Sequence, residues 1–145
     1  MPSYLVKAEC TKETQKRIAD TVKPFLDAKK FDGRQDYHCT VIFTRTWTKE
    51  PVVIAYETKP IYSVKDVTVF GDAIVLLLDV NSDSFIVQRN QQLTNEIQAT
   101  SDFPTYTPHV TIGYTKDSID RKALKEKFVG MLISLDYEVG KLFGS

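Results

Sequence analysis

Two short segments of the chain repeat one pattern, and each holds one of its two histidines. His38 and His109 are each followed two positions later by a threonine, Thr40 and Thr111, and apolar residues occupy the positions between and after. This alternation is typical of a half-buried β-strand, because successive side chains of a strand point to opposite faces. Each segment therefore predicts a strand with one apolar face in the core and an imidazole and a hydroxyl on the other face.

The repeat extends beyond these two segments. A shift of 71 positions relates His38 to His109 and also Ser63 to Ser134, and both serines begin segments that lead to a Phe-Gly pair. Each histidine is preceded by an apolar strand and then by an amphipathic stretch. The chain is therefore predicted to contain two copies of strand, helix, histidine strand and further strand. A duplication of this length indicates two similar lobes and not a solenoid.

The duplication predicts an α+β fold of two pseudo-symmetric lobes. Each lobe is expected to be an antiparallel sheet with helices on its outer face, and the two are expected to enclose a central groove. At 145 residues the chain should form a single domain, residues 1–145. The lobes are expected to span about residues 1–71 and 72–145, with strand exchange between them left open. A pseudo-two-fold axis would bring the two histidine strands to one groove.

Periodicity and capping signals predict the other elements. Thr11 is the expected N-cap of the first helix, which Pro24 should break or bend unless the helix ends there. A polar loop is expected at residues 29–35, and a hairpin turn at residues 71–72. Strands are predicted at residues 4–10, 52–56, 64–70, 73–80 and 132–139. Helices are predicted at residues 11–28 and 117–129, and a further helix is predicted to begin at a cap in residues 81–84 and to end at about residue 99.

Charge and composition restrict the partners. The 19 basic residues balance the 19 acidic ones, so no global field favours a long nucleic acid, whereas a substrate with one or a few phosphates remains compatible. The two cysteines are too few for a disulfide framework, which favours a reducing cytoplasm. No run of eighteen apolar residues and no basic, apolar leader occurs. A soluble, cytoplasmic protein without membrane partners is expected.

The tetrads His38-Cys39-Thr40-Val41 and His109-Val110-Thr111-Ile112, one in each copy of a duplicated α/β chain, resemble the motifs of the two-histidine (2H) phosphoesterase superfamily. Within that superfamily, the compact size and the segment Tyr137-Glu138-Val139 resemble the phage anti-CBASS proteins, which cleave cyclic oligonucleotide messengers of bacterial immunity. The resemblance implies a 2H-like fold and a phosphodiesterase. It also implies a role in immune evasion and, for a phage-encoded chain, the host cytoplasm.

Two imidazoles can perform this reaction without a metal, since one can act as base while the other, protonated, acts as acid. Thr40 and Thr111 would donate hydrogen bonds to the phosphate oxygens as their charge grows. The resemblance implies that a 3′,5′-linked cyclic di- or trinucleotide is attacked by its own 2′-hydroxyl, which gives a 2′,3′-cyclic phosphate first. The sequence does not assign the base and the acid to His38 or His109.

Four further residues are candidates for binding the substrate. The resemblance implies that Glu138 contacts a base or ribose, and the alternative is an ordinary exposed strand carboxylate. Trp47, between two cations, either stacks on a base or packs on its own lobe. Tyr106 and Phe143 either pack against a base or belong to the core.

The same residues fit other functions less well. A zinc site is disfavoured because strand alternation turns Cys39 away from His38, so no metal or other cofactor is predicted. A second hypothesis is a 2H enzyme acting on RNA or on 2′,3′-cyclic phosphate ends, although the balanced charge does not suggest a basic groove. A third, from another class, is a protein that sequesters cyclic nucleotides without cleaving them. Base preference, ring size and oligomeric state are left open by the sequence.

Overall fold

The computed structural model describes residues 2–34, 36–100 and 105–144. The described chain contains seven strands and three helices. The strands are β1 Ser3–Cys10, β2 Asp32–Gly33, β3 His38–Thr44, β4 Ile61–Phe70, β5 Ala73–Leu78, β6 His109–Tyr114 and β7 Leu132–Phe143, and the helices are α1 Lys12–Asp27, α2 Phe85–Glu96 and α3 Arg121–Phe128.

The strands form one seven-stranded sheet in which every described pairing is antiparallel. The order is β2-β6-β3-β1-β7-β4-β5, and β5 also pairs with β6. Six strands therefore form a closed ring of pairings, with the short β2 added beside one end of β6. Closure satisfies backbone groups that an open sheet would leave at its edges. The α+β class and the antiparallel strands are confirmed, whereas the two-lobe symmetry stays a prediction.

Alternation along the strands builds the core, as the sequence predicts. In β1, Val6 and Ala8 are fully buried, and in β3 so are Cys39 and Val41. The strand β5 is buried along almost its whole length, and it pairs with β4 at one edge and with β6 at the other. The helix α2 packs over β3, and the side-chain amide of Asn90 donates a hydrogen bond of 2.7 Å to the carbonyl oxygen of Val41.

The helix starts follow the predicted capping chemistry. The hydroxyl oxygen of Thr11 accepts a hydrogen bond from the backbone N–H of Thr14, which confirms Thr11 as the N-cap of α1. The carboxylate of Asp120 accepts one from the N–H of Ala123 at the start of α3. Pro24 does not break α1, which continues to Asp27. A proline withholds the N–H that would bond to the carbonyl oxygen four residues earlier, and the three residues after Pro24 complete the last turn.

Two predicted segments differ from the structure. Residues 52–56 are not a strand and form only an isolated bridge between Ala55 and Tyr137. A continuous run of apolar residues suggested the strand, but Val52, Val53 and Ile54 are exposed, and Tyr56 is the residue of the segment that enters the core. Conversely, Asp32 and Gly33 lie in the predicted polar loop, yet they pair with the end of β6 as β2. The last strand, predicted to end at residue 139, continues to Phe143 because β1 pairs with it from Leu135 to Phe143.

The predicted hairpin at residues 71–72 is confirmed. The strands β4 and β5 are antiparallel, and Phe70 pairs with Ala73 across the turn. Gly71 has a φ of 60°, a backbone conformation that glycine adopts without the steric cost of a Cβ atom. Among the residues that the structure describes, no helix is both long and apolar enough to cross a bilayer.

Leu76 provides a test of the closed core. It is fully buried on β5 and pairs with Val67 on β4 and Val110 on β6. The substitution Leu76→Ala should lower the free energy of unfolding by about 2–5 kcal/mol, because it leaves a cavity between three paired strands. Urea denaturation measures the change. The control Leu142→Ala, at a side chain that is 50% exposed, should cost much less, and equal costs would contradict this packing.

Candidate active site

The two histidine strands are neighbours in the sheet. They run antiparallel, and Cys39 on β3 pairs with Val110 on β6. Both residues are fully buried, so the residues on either side of them point to the opposite face. That face carries His38, Thr40, His109 and Thr111, all half-buried.

The antiparallel register interleaves the two motifs. Extended by one residue on each side of the Cys39 and Val110 pair, it sets His38 opposite Thr111 and Thr40 opposite His109. Directly opposed residues of antiparallel strands have Cβ atoms about 4.5–5.5 Å apart. The register therefore places His38 and His109 at diagonal positions of one patch of four residues, each opposite the threonine of the other motif.

A carboxylate orients His38. The ring nitrogen Nδ1 lies 3.0 Å from Oδ2 of Asp36, and since an ionised carboxylate only accepts, Nδ1 must carry the proton. The other nitrogen, Nε2, is then the basic one in the neutral ring. Burial lowers the pKa of His38 and outweighs the opposing effect of the hydrogen bond to Asp36, with the charges of Lys7 and Arg34 lowering it further.

Asp36 belongs to a network of charges at the edge of the patch. Nζ of Lys7 lies 3.4 Å from Oδ2 of Asp36 and 3.0 Å from Oε1 of Glu9, and Nη2 of Arg34 lies 3.8 Å from Oδ1 of Asp36. Burial acts to raise the pKa of Asp36, but the hydrogen bond from His38 and the charge of Lys7 outweigh it and hold that pKa below its usual value. Asp36 is therefore ionised at neutral pH.

His109 is oriented differently. Its Nδ1 lies 2.7 Å from the backbone oxygen of Thr107, so that nitrogen donates and Nε2 is again the basic position of the neutral ring. The ring of Phe70 meets the imidazole edge to face, with 5.1 Å between the centroids and 87° between the planes. Both histidines thus present Nε2, but only His38 has an anionic partner among the described residues.

Tyr106 and Trp47, predicted to bind the substrate, both make contacts of a structural kind. The hydroxyl of Tyr106 donates a hydrogen bond of 2.7 Å to the backbone oxygen of Thr40, and burial raises the pKa of this phenol well above its usual value. The ring of Trp47 packs edge to face on Tyr4, with 5.8 Å between centroids. These contacts correspond to the packing alternatives, and roles in ligand binding stay predictions.

Phe143 shares the face of the histidines but lies far along the sheet. It pairs with Ser3 at the start of β1, whereas Thr40 pairs with Lys7. Four residues of strand separate Ser3 from Lys7, which is about 13 Å. The ring is 39% exposed, and Nζ of Lys141 lies 4.9 Å from its centroid. Its contact with a base also stays a prediction.

Glu138 lies on the opposite face and is enclosed. It pairs with Ala8, which in turn pairs with Cys39, so its side chain shares the face of Cys39 and not that of His38. Its side chain has no exposed surface, so it is not the exposed carboxylate weighed as the alternative. Its two oxygens accept hydrogen bonds from Arg89 at 2.7 and 2.8 Å, from the Tyr56 hydroxyl at 2.6 Å and from the Ile54 N–H at 3.1 Å.

The sequence reasoning missed Asp36, Lys7 and Tyr137. Asp36 precedes His38 by two positions, and residues two apart in a strand lie on the same face, so the sequence contained the signal that would have placed Asp36 beside His38. Lys7 required the β1–β3 register, which sequence does not supply. Tyr137 pairs with Glu9, which in turn pairs with His38, so Tyr137 lies on the same face as His38. Its ring is 45% exposed, and its strand is two strands, or about 10 Å, from that of His38.

One group of side chains has the composition of a metal site. The ligand atoms of Glu9, Asp36 and His38 lie within 4.8 Å of one another. However, the ammonium of Lys7 already contacts both carboxylates, so a divalent cation would have to displace it. Burial raises the pKa of Cys39 to about 11, which keeps its thiol protonated and a poor ligand.

A cleft of about 590 Å³ lies at the other end of β6 from His109 and includes neither histidine. Its lining mixes three lysines and three aspartates with the rings of Phe31 and Tyr114. The two histidines therefore lie outside this cleft, on the sheet face described above.

The buried ion pair gives a test of the role of Glu138. The substitution Glu138→Gln should lower the free energy of unfolding by about 3–5 kcal/mol, because it leaves the buried guanidinium of Arg89 without a counter-charge. Chemical denaturation measures this, with Glu126→Gln on the exposed side of α3 as the control. A loss below about 1 kcal/mol together with weakened binding of a cyclic dinucleotide would instead favour the base contact implied by the resemblance.

Comparison with known proteins finds one matching family model and a relative that aligns with part of the chain. The sequence model of one family, described as Anti-CBASS protein Acb1, matches residues 2–141. A protein named Anti-CBASS protein Acb1, from Acinetobacter phage Ac42, is 38% identical over 85 residues, which are 56% of this chain. The same alignment spans 53% of that relative, about half its length. Because the family model matches the chain almost from end to end, this protein belongs to the anti-CBASS protein Acb1 family.

Proposed function

We propose that the protein is a metal-independent phosphodiesterase of the two-histidine type, which cleaves 3′,5′-linked cyclic di- or trinucleotides in the cytoplasm of a phage-infected host. His38 and His109 are the acid and the base, and Thr40 and Thr111 bind the phosphate. The observation that carries the proposal is the pairing of Cys39 with Val110, since it supports a single patch that holds two imidazoles and two hydroxyls.

The orientation of both rings suits proton transfer. Each Nδ1 donates to an acceptor of the protein, so each Nε2 is the nitrogen that exchanges a proton with a ligand. One neutral histidine takes the proton of the 2′-hydroxyl, whose oxygen attacks the phosphorus. The other, protonated, histidine gives its proton to the departing 5′-oxygen. The ring opens with a 2′,3′-cyclic phosphate at one end, which water then hydrolyses with the two roles exchanged.

Strand order supports the two-lobe arrangement that this mechanism uses. The six ring strands are ordered β3-β1-β7-β4-β5-β6. The sequence repeat matches β1 with β5, β3 with β6 and β4 with β7. If every strand is replaced by its match and the order is read backwards, the same order results, as expected for two lobes related by a two-fold axis. We infer two lobes, of about residues 1–71 and 72–145, that exchange their last strands. The histidine strands β3 and β6 meet where the two ends of this order join.

The family supports the substrate class. The relative is named as an anti-CBASS protein and comes from a phage, and the resemblance associates such proteins with cyclic oligonucleotide messengers. The balanced charge of the chain agrees with a substrate that carries two or three phosphates. Three aromatic residues are candidates for stacking on its bases, namely Tyr137, Phe143 and Trp47, and substitution of each one separately tests its role.

Cleavage in the presence of EDTA tests the proposed chemistry. Purified protein should linearise a cyclic dinucleotide or trinucleotide in the presence of EDTA. Chromatographic separation of the linear product from the cyclic substrate measures the rate. His38→Ala and His109→Ala should each lower kcat by about 10²–10⁴-fold, because each removes an acid or a base. Thr40→Ala and Thr111→Ala should lower it by about 10²–10³-fold, as expected for a donor to a developing negative charge.

The control is Thr21→Ala, at a half-buried threonine of α1 whose hydroxyl bonds within its own helix, and it should leave the rate unchanged. Undiminished cleavage by the double variant His38→Ala, His109→Ala would overturn the assignment. Faster cleavage of linear RNA or of 2′,3′-cyclic phosphate ends than of cyclic dinucleotides would favour the RNA-directed alternative. Recovery of unchanged ligand after stoichiometric binding would favour sequestration.

A further inference from the structure

We propose that Asp36 is a positioning residue for His38, which fixes the ring as the Nδ1–H tautomer and directs a basic Nε2 toward the substrate. This inference rests on the proposed function for its kinetic consequence, but not for its structural one. Asp36 lies outside both tetrads, two residues before His38, the first residue of β3.

The geometry that supports it is a relay of three contacts. Lys7 bridges Glu9 and Asp36, at 3.0 and 3.4 Å, and Asp36 in turn accepts from Nδ1 of His38 at 3.0 Å. On its other side, Arg34 Nη2 lies 3.8 Å from Oδ1 of Asp36. Two cations from two different segments thus hold the carboxylate in place, and the carboxylate holds the ring.

The charge of Asp36 adds something that the partner of His109 cannot supply. When Nε2 of His38 takes a proton, the ring becomes a cation whose charge the adjacent carboxylate stabilises. The backbone oxygen of Thr107 orients His109 but carries no net charge. The two histidines are therefore equivalent in sequence pattern and unequal in electrostatics.

The surrounding groups set the direction of the effect. His38 faces Asp36, Lys7, Glu9 and Arg34, and of these Asp36 is the one that contacts the ring. Removal of its charge takes the carboxylate partner of Arg34 away and leaves Lys7 with Glu9 alone, so the positive charge beside the ring is less well balanced. Protonation of His38 should then become less favourable, and its pKa, already lowered by burial, should fall further.

Nitrogen-15 NMR of the imidazoles tests the structural part directly. The chain has two histidines, and His109→Ala assigns their signals. In the wild type, neutral His38 should show a protonated Nδ1 and an unprotonated Nε2. In Asp36→Ala the proton should redistribute toward Nε2 of His38, while His109, bonded to a backbone oxygen, should keep its Nδ1–H form as an internal control. An unchanged His38 tautomer would overturn the inference.

Kinetics test the functional part. Asp36→Asn should lower kcat for cyclic dinucleotide cleavage by roughly 10- to 100-fold, by analogy with the groups that orient metal-binding histidines, with little change in KM. The limb of the pH profile that reports His38 should move to lower pH, whichever role His38 has. Asp36→Glu should restore part of the rate, whereas Asp20→Asn, at an exposed aspartate of α1, should leave it unchanged.

The outcomes separate this inference from the proposed function. A wild type that does not cleave while its His38 shows the Nδ1–H tautomer, lost in Asp36→Ala, would refute the activity and keep the positioning role. A wild type that cleaves, with Asp36→Asn unchanged in both kcat and pH profile, would refute the positioning role and keep the activity.

Discussion

The structure depends on one antiparallel contact between distant parts of the chain, the pairing of β3 with β6 through Cys39 and Val110. The strand β6 also pairs along its length with β5 and, at its far end, with β2. It is therefore fixed on both edges, and a slip by one residue would turn its apolar residues outward. Burial of Cys39 and Val110 on one face is what obliges both HxT motifs to share the other.

A second constraint lies on the opposite side of the sheet. The ion pair of Arg89 with Glu138 is almost completely enclosed, and its remaining bonds go to the phenol of Tyr56, to the side-chain amide oxygen of Gln92 and to backbone groups of residues 52 and 54. Burial, followed by the bond to Glu138, raises the pKa of Tyr56, so the phenol keeps the proton that it donates. Because every bond of this cluster is made within the protein, it ties α2, β7 and an irregular segment together in place of a further strand.

The two halves of the candidate site differ although their sequence patterns match. A network of paired charges, Asp36, Lys7 and Glu9, adjoins His38 and contacts its ring through the carboxylate of Asp36, whereas an aromatic ring and a backbone oxygen contact His109. A reaction that needs one base and one acid at the same time benefits from such a difference, since identical surroundings would give both imidazoles the same protonation state. A duplicated motif thus supplies the groups, and the residues around it make them unequal.

The sequence by itself determined the elements with strong local signals. Alternation identified both histidine strands and their apolar faces, Thr11 fixed the start of α1, and Gly71 marked a hairpin. It did not show that residues 52–56 are irregular or that Asp32 and Gly33 pair with β6, because both depend on partners distant in the chain. Tertiary structure alone decided that Glu138 meets Arg89, since that contact depends on how α2 packs on the sheet. It also decided that Lys7 meets Asp36, since that contact depends on the register of β1 with β3, and the pattern of a single strand carries no information about its neighbour.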